Sequence, residues 1–255
     1  MEAELLKELD EKDIESVREL VQACNDADHT NYDTDLDGDF YYIVRNDDKE
    51  ESGLDAKIFA VLSGYLLGET IDGRQVLEVE AFTHPVMRGI GFFSMCYNSL
   101  KDDFRGYHVK FMIKSPLYGF DNYTDTIKSA IPFVSPDAYE TLCAIGASHL
   151  NDELLMEKIL KRGISNPEDQ LCNKYGEVHL TGYDKDTLYL YGLLVYDKYL
   201  GQGHGRQLMQ DVESYKDGKY TKILLQVSSA NTIALRLYEK LGYKETERIV
   251  YFIDK

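Results

Sequence analysis

The stretch Val195-Tyr-Asp-Lys-Tyr-Leu-Gly-Gln-Gly203-His-Gly205 follows an apolar run and leads into a segment with helical periodicity. It predicts a strand, a short loop, a glycine turn and a helix, in that order. Ala81-Phe-Thr-His-Pro-Val-Met-Arg-Gly89-Ile-Gly91 can be written beneath it without a gap and predicts the same order. A strand that runs into Gly-x-Gly at a helix start leaves backbone N–H groups unpaired beside the positive end of the helix dipole. Since glycine lets a bulky anion approach the backbone, each turn is a candidate phosphate or diphosphate site.

The elements around the two turns also occur twice in one order, which indicates an internal duplication and a mixed α/β sheet. The predicted strands are residues 40–44, 57–67, 75–82, 109–113, 154–160, 178–182, 188–195, 223–227 and 248–253. The predicted helices are residues 11–25, 138–145 and 233–241, together with one helix from each glycine turn to residues 100 and 214. The polar segment 162–170, which contains Pro167, is the predicted linker, so the expected domains are residues 1–161 and 162–255. The second domain lacks an opening helix.

A second pattern closes the second copy: Asn231-x-x-Ala234-x-x-x-Tyr238-x-x-x-Gly242-Tyr243. Together with Gly203-x-Gly205, this pattern resembles the GNAT superfamily of acetyl-CoA-dependent N-acetyltransferases. The order of the two copies is similar to that of tandem GNAT proteins such as mycothiol synthase. The resemblance therefore implies two tandem GNAT-like domains, of which the second is an acyltransferase that uses acetyl-CoA as co-substrate.

The resemblance also implies roles for individual residues. The strand before the turn would bind the pantetheine, the turn would bind the pyrophosphate, and Asn231 would lie near the thioester. Tyr238 would be the general acid that protonates the departing thiolate, although a core tyrosine is the alternative. The family has Arg or Gln where this chain has Leu200. The expected coenzyme-binding residues are Leu194, Val195, Leu200, Gly201, Gln202, Gly203, His204, Gly205, Arg206 and Asn231.

The first copy keeps Gly89-x-Gly91 but departs from the family pattern at two positions. In the ungapped comparison Val86 stands at the Arg/Gln position, and Leu142 stands where the second copy has Tyr238. Without the phenol, the first domain is expected to be GNAT-like and non-catalytic.

The general base is not apparent in the sequence. Glu177 and His179 precede the second glycine turn and are both candidates, with solvent-facing strand residues as the alternative. In the first copy Glu78 and Glu80 share one strand face, where they either line an acceptor cleft or face water.

The amino-acid composition and net charge limit the kinds of partner that the protein is expected to bind. The formal charge is −17, and residues 1–50 alone carry 17 acidic and 5 basic side chains, a net −12. Such a surface repels phosphate backbones, so no nucleic acid is expected as a partner, and it favours a cationic acceptor. No apolar run reaches the ~18 residues of a membrane span, and the acidic start is unlike a signal peptide. Four dispersed cysteines favour reduced thiols and a cytoplasmic protein.

The Asp-rich segment of residues 33–39 matches the opening of an EF-hand loop, but Val44 stands where the bidentate glutamate belongs. A solvated loop or an acidic acceptor loop is favoured, and no metal is expected. The predicted activity is acetyl transfer from acetyl-CoA to a primary amine on a small molecule or peptide. The alternatives are an inactive module that binds or senses acetyl-CoA, and a protein in which both copies are active. A monomer and a homodimer are both compatible with the duplication.

Overall fold

A computed structural model describes residues 2–46, 57–115, 133–165, 170–215 and 218–254. The chain divides into two compact units: unit 1 is Met1–Leu150 with Ile249–Lys255, and unit 2 is Asn151–Arg248. These units differ from the predicted division after residue 161, because one long strand begins before that point and the last strand contributes its end to unit 1. Pro167 of the predicted linker lies outside the described residues.

The sheet of unit 1 is antiparallel except at one step. That step joins β4 to β5, which run parallel. The antiparallel pairs are β1–β2, β2–β3, β3–β4, and β5 with the end of β11. The strands are β1 (Glu4–Leu6), β2 (Phe40–Arg45), β3 (Ile58–Ile71), β4 (Arg74–Thr83), β5 (His108–Lys114) and β11 (Lys244–Asp254). The short β1 was not predicted.

Helices cover both faces of the unit 1 sheet. On one face, α1 (Glu11–Asp28) packs an apolar stripe that includes Leu20 into a buried cluster with Phe82. On the other face, α2 (Phe92–Asp103) and α3 (Pro136–Ala144) bury their apolar residues against the sheet. Asp10 caps α1 by accepting the N–H groups of Lys12 and Asp13. The predicted helices are thus confirmed, with ends shifted by a few residues.

Unit 2 repeats this arrangement with fewer parts. Its strands lie in the order β6, β10, β9, β8, β7, and only β9 and β10 run parallel. They are β6 (Ser148–Ile164), β7 (Gln170–Asn173), β8 (Gly176–Gly182), β9 (Thr187–Val195) and β10 (Tyr220–Ser228). Two helices, α4 (His204–Ser214) and α5 (Thr232–Lys240), pack on one core cluster. The predicted linker is wrong at its ends, because residues 162–164 extend β6 and residue 170 begins β7.

The second face of the unit 2 sheet has no counterpart of α1 among the described residues, as the sequence predicted. Tyr189 and Tyr191 alternate with the core residues Leu188 and Leu190 along β9, so they lie on this second face. No described helix is long and apolar enough to cross a membrane.

The two glycine turns correspond in a register that differs from the ungapped comparison. Gly91 (φ 104°) is the N-cap of α2, and Gly203 (φ 88°) is the N-cap of α4. Three residues earlier, Arg88 and Leu200 each end a short 3-10 turn. The predicted correspondence of Gly203 with Gly89 is therefore wrong by two residues. The start of the following helix shows which residues correspond more reliably than two matching glycines in the sequence do. Arg88, not Val86, is the counterpart of Leu200.

Candidate functional site

The site of interest in unit 2 begins with a bulge in β9. Glu177 on β8 pairs with Leu194, but His179 pairs with Tyr191, so Val178 lies opposite two residues, Gly192 and Leu193. Gly192 has φ 60°, which favours glycine because it lacks a Cβ. The bulge therefore turns backbone groups of β9 out of the regular ladder, three residues before the end of the strand.

Beyond the bulge, β9 separates from its parallel neighbour. The β9–β10 ladder ends at Leu190 with Leu225, although both strands continue. Leu194 and Val195 therefore lie on a strand segment that β10 does not pair. Backbone groups on such an edge can hydrogen-bond to an extended ligand. The pantetheine-binding role of Leu194 and Val195 stays a prediction.

The glycine turn follows directly. Gly201 and Gly203 both have positive φ, and a Cβ added to either would meet no atom within 4 Å. These glycines are needed for backbone conformation, and the space in front of them is open. The N-cap of α4 receives no side-chain hydrogen bond. The first N–H groups of α4, at His204, Gly205 and Arg206, therefore remain available for an anion.

Side chains around the turn point in several directions. The His204 ring stacks on Tyr175 at 3.7 Å between centroids and meets Tyr199 edge-on at 5.7 Å. Lys198 lies over the Tyr199 ring at 4.8 Å from its centroid. The sequence did not indicate this aromatic cluster, which holds the turn in place through His204. The backbone N–H groups are therefore the hydrogen-bond donors for an anion at the turn. Gln202 bonds to the Lys198 carbonyl, while Leu200 and Arg206 are exposed.

Asn231 has a structural function that the motif did not reveal. It is the N-cap of α5, and its Oδ1 accepts the N–H of Ala234 at 3.1 Å. An asparagine directly before an apolar helix is a recognisable cap, so the sequence could have indicated this bond. The cap uses the oxygen of the amide and leaves the amide nitrogen for other partners.

Tyr238 lies on α5 within the unit 2 core. Only 6% of its surface is exposed, and its ring centroid lies 5.8 Å from that of Tyr243. Burial raises the pKa of the Tyr238 phenol above its ordinary value, so the hydroxyl keeps its proton at neutral pH. The hydroxyl of neighbouring Tyr243 is buried and has no hydrogen-bond partner. The Tyr238 hydroxyl is not among the buried polar groups that lack a partner.

The two candidate bases occupy different surroundings on β8. His179 lies against the bulge: a Cβ on Gly192 would come within 2.9 Å of its Cδ2, and its ring stacks on Tyr191 at 5.3 Å. Glu177 instead accepts a hydrogen bond from Gln170 at 3.0 Å. The geometry therefore favours His179 as the group next to the bulge.

Glu78 and Glu80 of unit 1 lie in different environments, because Glu78 forms an ion pair and the Glu80 carboxyl is enclosed. Glu78 binds Lys110 at 2.9 Å. Burial raises the pKa of Glu80 to about 7, although nearby Lys114 lowers it. The solvent-facing interpretation is thus wrong for Glu80, whose carboxyl is enclosed near Lys114, Glu78 and Asp33.

Most carboxylates of the Asp-rich segment bond within the chain. Arg18 binds Asp35 at 2.5 Å, and Asp39 accepts the N–H of Leu66. Asp33 and Asp37 accept backbone N–H groups of their own loop. Among the described residues, no cluster of three or more His, Cys, Asp or Glu could hold a metal.

Comparison with known proteins agrees with this geometry. Residues 167–243 match the model of the acetyltransferase (GNAT) family. No protein with a curated description matches the chain in sequence. A GCN5-related N-acetyltransferase from Sphaerobacter thermophilus is 14% identical, with a TM-score of 0.64 over 99% of this chain and 95% of that one. A tandem GNAT protein from the clavulanic acid biosynthesis pathway is 10% identical, with a TM-score of 0.62 over 99% and 98%. A GNAT acetyltransferase from Colwellia psychrerythraea is 12% identical, with a TM-score of 0.50 over the whole of both chains. At such identities these structures establish the fold.

Proposed function

We propose that this chain, whose residues 167–243 match the model of the acetyltransferase (GNAT) family, transfers an acetyl group from acetyl-CoA to a primary amine in unit 2. One observation carries the proposal. The end of β9, which is bulged against β8 and not paired by β10, leads through a short 3-10 turn into an open glycine turn at the uncapped start of α4. Backbone groups for an extended arm and for a diphosphate therefore follow each other along one segment of chain.

The residues present fit a phosphorylated thioester. The N–H groups at the start of α4 would bind the pyrophosphate, because they are unpaired and lie at the positive end of the helix dipole. The open space at Gly201 and Gly203 leaves room for phosphate oxygens against the backbone. When bound, acetyl-CoA supplies an activated acyl group and a thiol leaving group.

Three groups of unit 2 would serve the transfer itself. A backbone N–H of the bulge at Gly192 or Leu193 is available to stabilise negative charge on the carbonyl oxygen. The Tyr238 hydroxyl would donate a proton to the departing thiolate, for which its raised pKa keeps it in the protonated form. His179 would accept the proton of the amine, directly or through water.

The acceptor would approach from the second face of the unit 2 sheet, where Tyr189, Tyr191 and His179 lie. Their rings form a continuous row, with centroid distances of 6.0 Å and 5.3 Å. The net charge of −17 favours an amine that carries positive charge.

The test is release of free thiol from acetyl-CoA by the full chain in the presence of a panel of small amines and lysine-containing peptides. We expect sustained, amine-dependent release above the hydrolysis background, with the acetylated amine identified by mass spectrometry. Saturable acetyl-CoA binding without thiol release would contradict the proposal and support the sensing module instead.

A further inference from the structure

A second candidate site lies entirely within unit 1. A cavity of about 630 Å³ opens between the ends of β4 and β5, the start of α2, and α3. This volume is in the range of sites for small organic molecules. Because the cavity is adjacent to the first glycine turn, the simplest expectation is that it would hold the same coenzyme as unit 2. Three features of this chain argue otherwise.

The first feature is the positive charge at the turn. Arg88 binds Asp28 of α1 through both carboxylate oxygens, at 2.7 and 2.6 Å, and reaches Asp137 of α3 at 3.3 Å. The guanidinium is therefore neutralised by carboxylates from both sides of the cavity. A phosphate would have to displace them, at the cost of leaving two acids without their cation.

The second feature is the gap between β4 and β5 beyond the end of their ladder. The β4–β5 ladder ends at Val79 with Phe111, as the β9–β10 ladder ends in unit 2. In unit 1, however, the Tyr32 hydroxyl accepts the backbone N–H of Lys114 at 2.6 Å, and the Tyr32 ring packs edge-on against Phe82 at 4.9 Å. The chain itself thus fills the gap that an extended ligand would need. The β4 strand also shows no bulge near its end, since its register with β3 is regular from Leu77 to Thr83.

The third feature is the composition of the wall. Phe93 stands in unit 1 where unit 2 has Gly205, and its ring lies 6.2 Å from Phe111. The lining also contains Phe82, Phe92 and Leu142. Its charged side chains are Asp28, Asp137 and Glu140 against Arg88 and Lys114, an excess of one negative charge. A cavity lined in this way favours the binding of ligands with apolar rings and disfavours the binding of anions.

We propose that the unit 1 cavity is a second ligand site, which binds a ring-bearing, uncharged organic molecule and not a phosphorylated coenzyme. The Arg88 ion pairs hold α1 and α3 at its rim, Tyr32 closes the gap between β4 and β5, and the phenylalanine rings contact the ligand. This proposal does not depend on the activity assigned to unit 2.

The test uses the neutral fluorescent amine N-phenyl-1-naphthylamine as the probe and the full chain as the receptor. We expect saturable fluorescence enhancement with one site per chain. Ala138→Phe, which fills the cavity from the first turn of α3, should weaken binding at least about tenfold. Ala234→Phe is the matched control, because Ala234 lies at the same distance from the N-cap of α5 as Ala138 does from the N-cap of α3. It should leave probe affinity unchanged, and saturating coenzyme A should not displace the probe.

Three results would overturn the proposal: no saturable probe binding, equal losses in Ala138→Phe and Ala234→Phe, or displacement of the probe by coenzyme A. Circular dichroism and the melting temperature report whether each variant folds. If Ala138→Phe fails to fold, Ala144→Phe provides the same test, because Ala144 also lines the cavity but is exposed on α3.

Discussion

Arg88 and Leu200 occupy the same position in the two glycine turns, three residues before the N-cap glycine of the following helix. Their backbones agree closely, with φ/ψ of −68°/152° and −60°/148°. Arg88 is bound by Asp28 and Asp137. Unit 2 has no counterpart of α1 among the described residues, and Ile233 stands on α5 where Asp137 stands on α3. A cation placed at residue 200 would therefore not be captured by equivalent acids.

Leu200→Arg is accordingly expected to strengthen coenzyme A binding. A guanidinium at this exposed position can add a charge-assisted bond to a phosphate, for which a gain of about 1.4 kcal/mol, or tenfold in Kd, is expected. Isothermal titration calorimetry measures the change, and Leu200→Met is the uncharged control. Equal affinities for the two variants would show that no phosphate approaches residue 200.

Tyr238→Phe is expected to reduce kcat by about 10²- to 10⁴-fold, the usual effect of removing a general acid, while acetyl-CoA affinity stays near that of the unmodified chain. The matched control is Tyr243→Phe, which removes a buried hydroxyl that has no partner and should leave kcat unchanged. Steady-state kinetics with binding measured separately distinguishes the two variants. Unchanged turnover in Tyr238→Phe would assign this tyrosine to the core alone.

His179→Gln is expected to lower kcat by about 10²-fold or more, because the imidazole beside the bulge would no longer accept a proton. Glu177→Gln is the comparison on the same strand and should retain most of the activity, since Glu177 bonds to Gln170 away from the bulge. A larger loss for Glu177→Gln than for His179→Gln would reverse this assignment. Thermal unfolding of both variants checks that β8 remains intact.

Asn231 allows a cap and a ligand contact to be separated. Asn231→Ala should lower the stability of α5 by about 1 kcal/mol, because the N–H of Ala234 loses its acceptor. Asn231→Ser restores a capping oxygen and should recover the melting temperature. Both variants should bind acetyl-CoA more weakly if the amide nitrogen contacts the coenzyme, as the family resemblance implies. An unaltered Kd in Asn231→Ser would limit this residue to capping.

The raised pKa of Glu80 predicts that the stability of the folded chain depends on pH. Its pKa is about 7 in the folded chain, above the ordinary value of 4.5, because burial disfavours the charged form. Between these two values the folded state binds more protons than the unfolded state, so stability falls as pH rises from about 4.5 to 7. The loss attributable to this group is at most about 3 kcal/mol. Denaturant titrations at several pH values should show a flatter profile for Glu80→Gln, and an unchanged slope would contradict the assignment.

Local patterns determined much of this protein from the sequence alone. The strand–turn–helix order around Gly201 and Gly203 and the helix from Thr232 to Lys240 agree with the structure, and the described residues of the second copy contain no opening helix. These features depend on residues that are close in sequence: glycine permits positive φ, and apolar spacing sets helical periodicity. Short edge strands such as Glu4–Leu6 and Gln170–Asn173 were missed because their pairing partners, not their own composition, define them.

Only the tertiary structure decided what the individual polar groups do. Arg88 stands in the first glycine turn, a candidate phosphate site in the sequence, but α1 and α3 bring Asp28 and Asp137 to it. Glu80 looks like a solvent-facing strand residue, but folding encloses its carboxyl near Lys114 and Asp33. His204 looks like an anion ligand, yet it stacks on Tyr175, twenty-nine positions earlier in the chain. The charge and hydrogen-bonding state of a side chain depends on neighbours that folding brings from distant positions. For this reason the sequence identified the glycine turn but not the partners of the side chains around it.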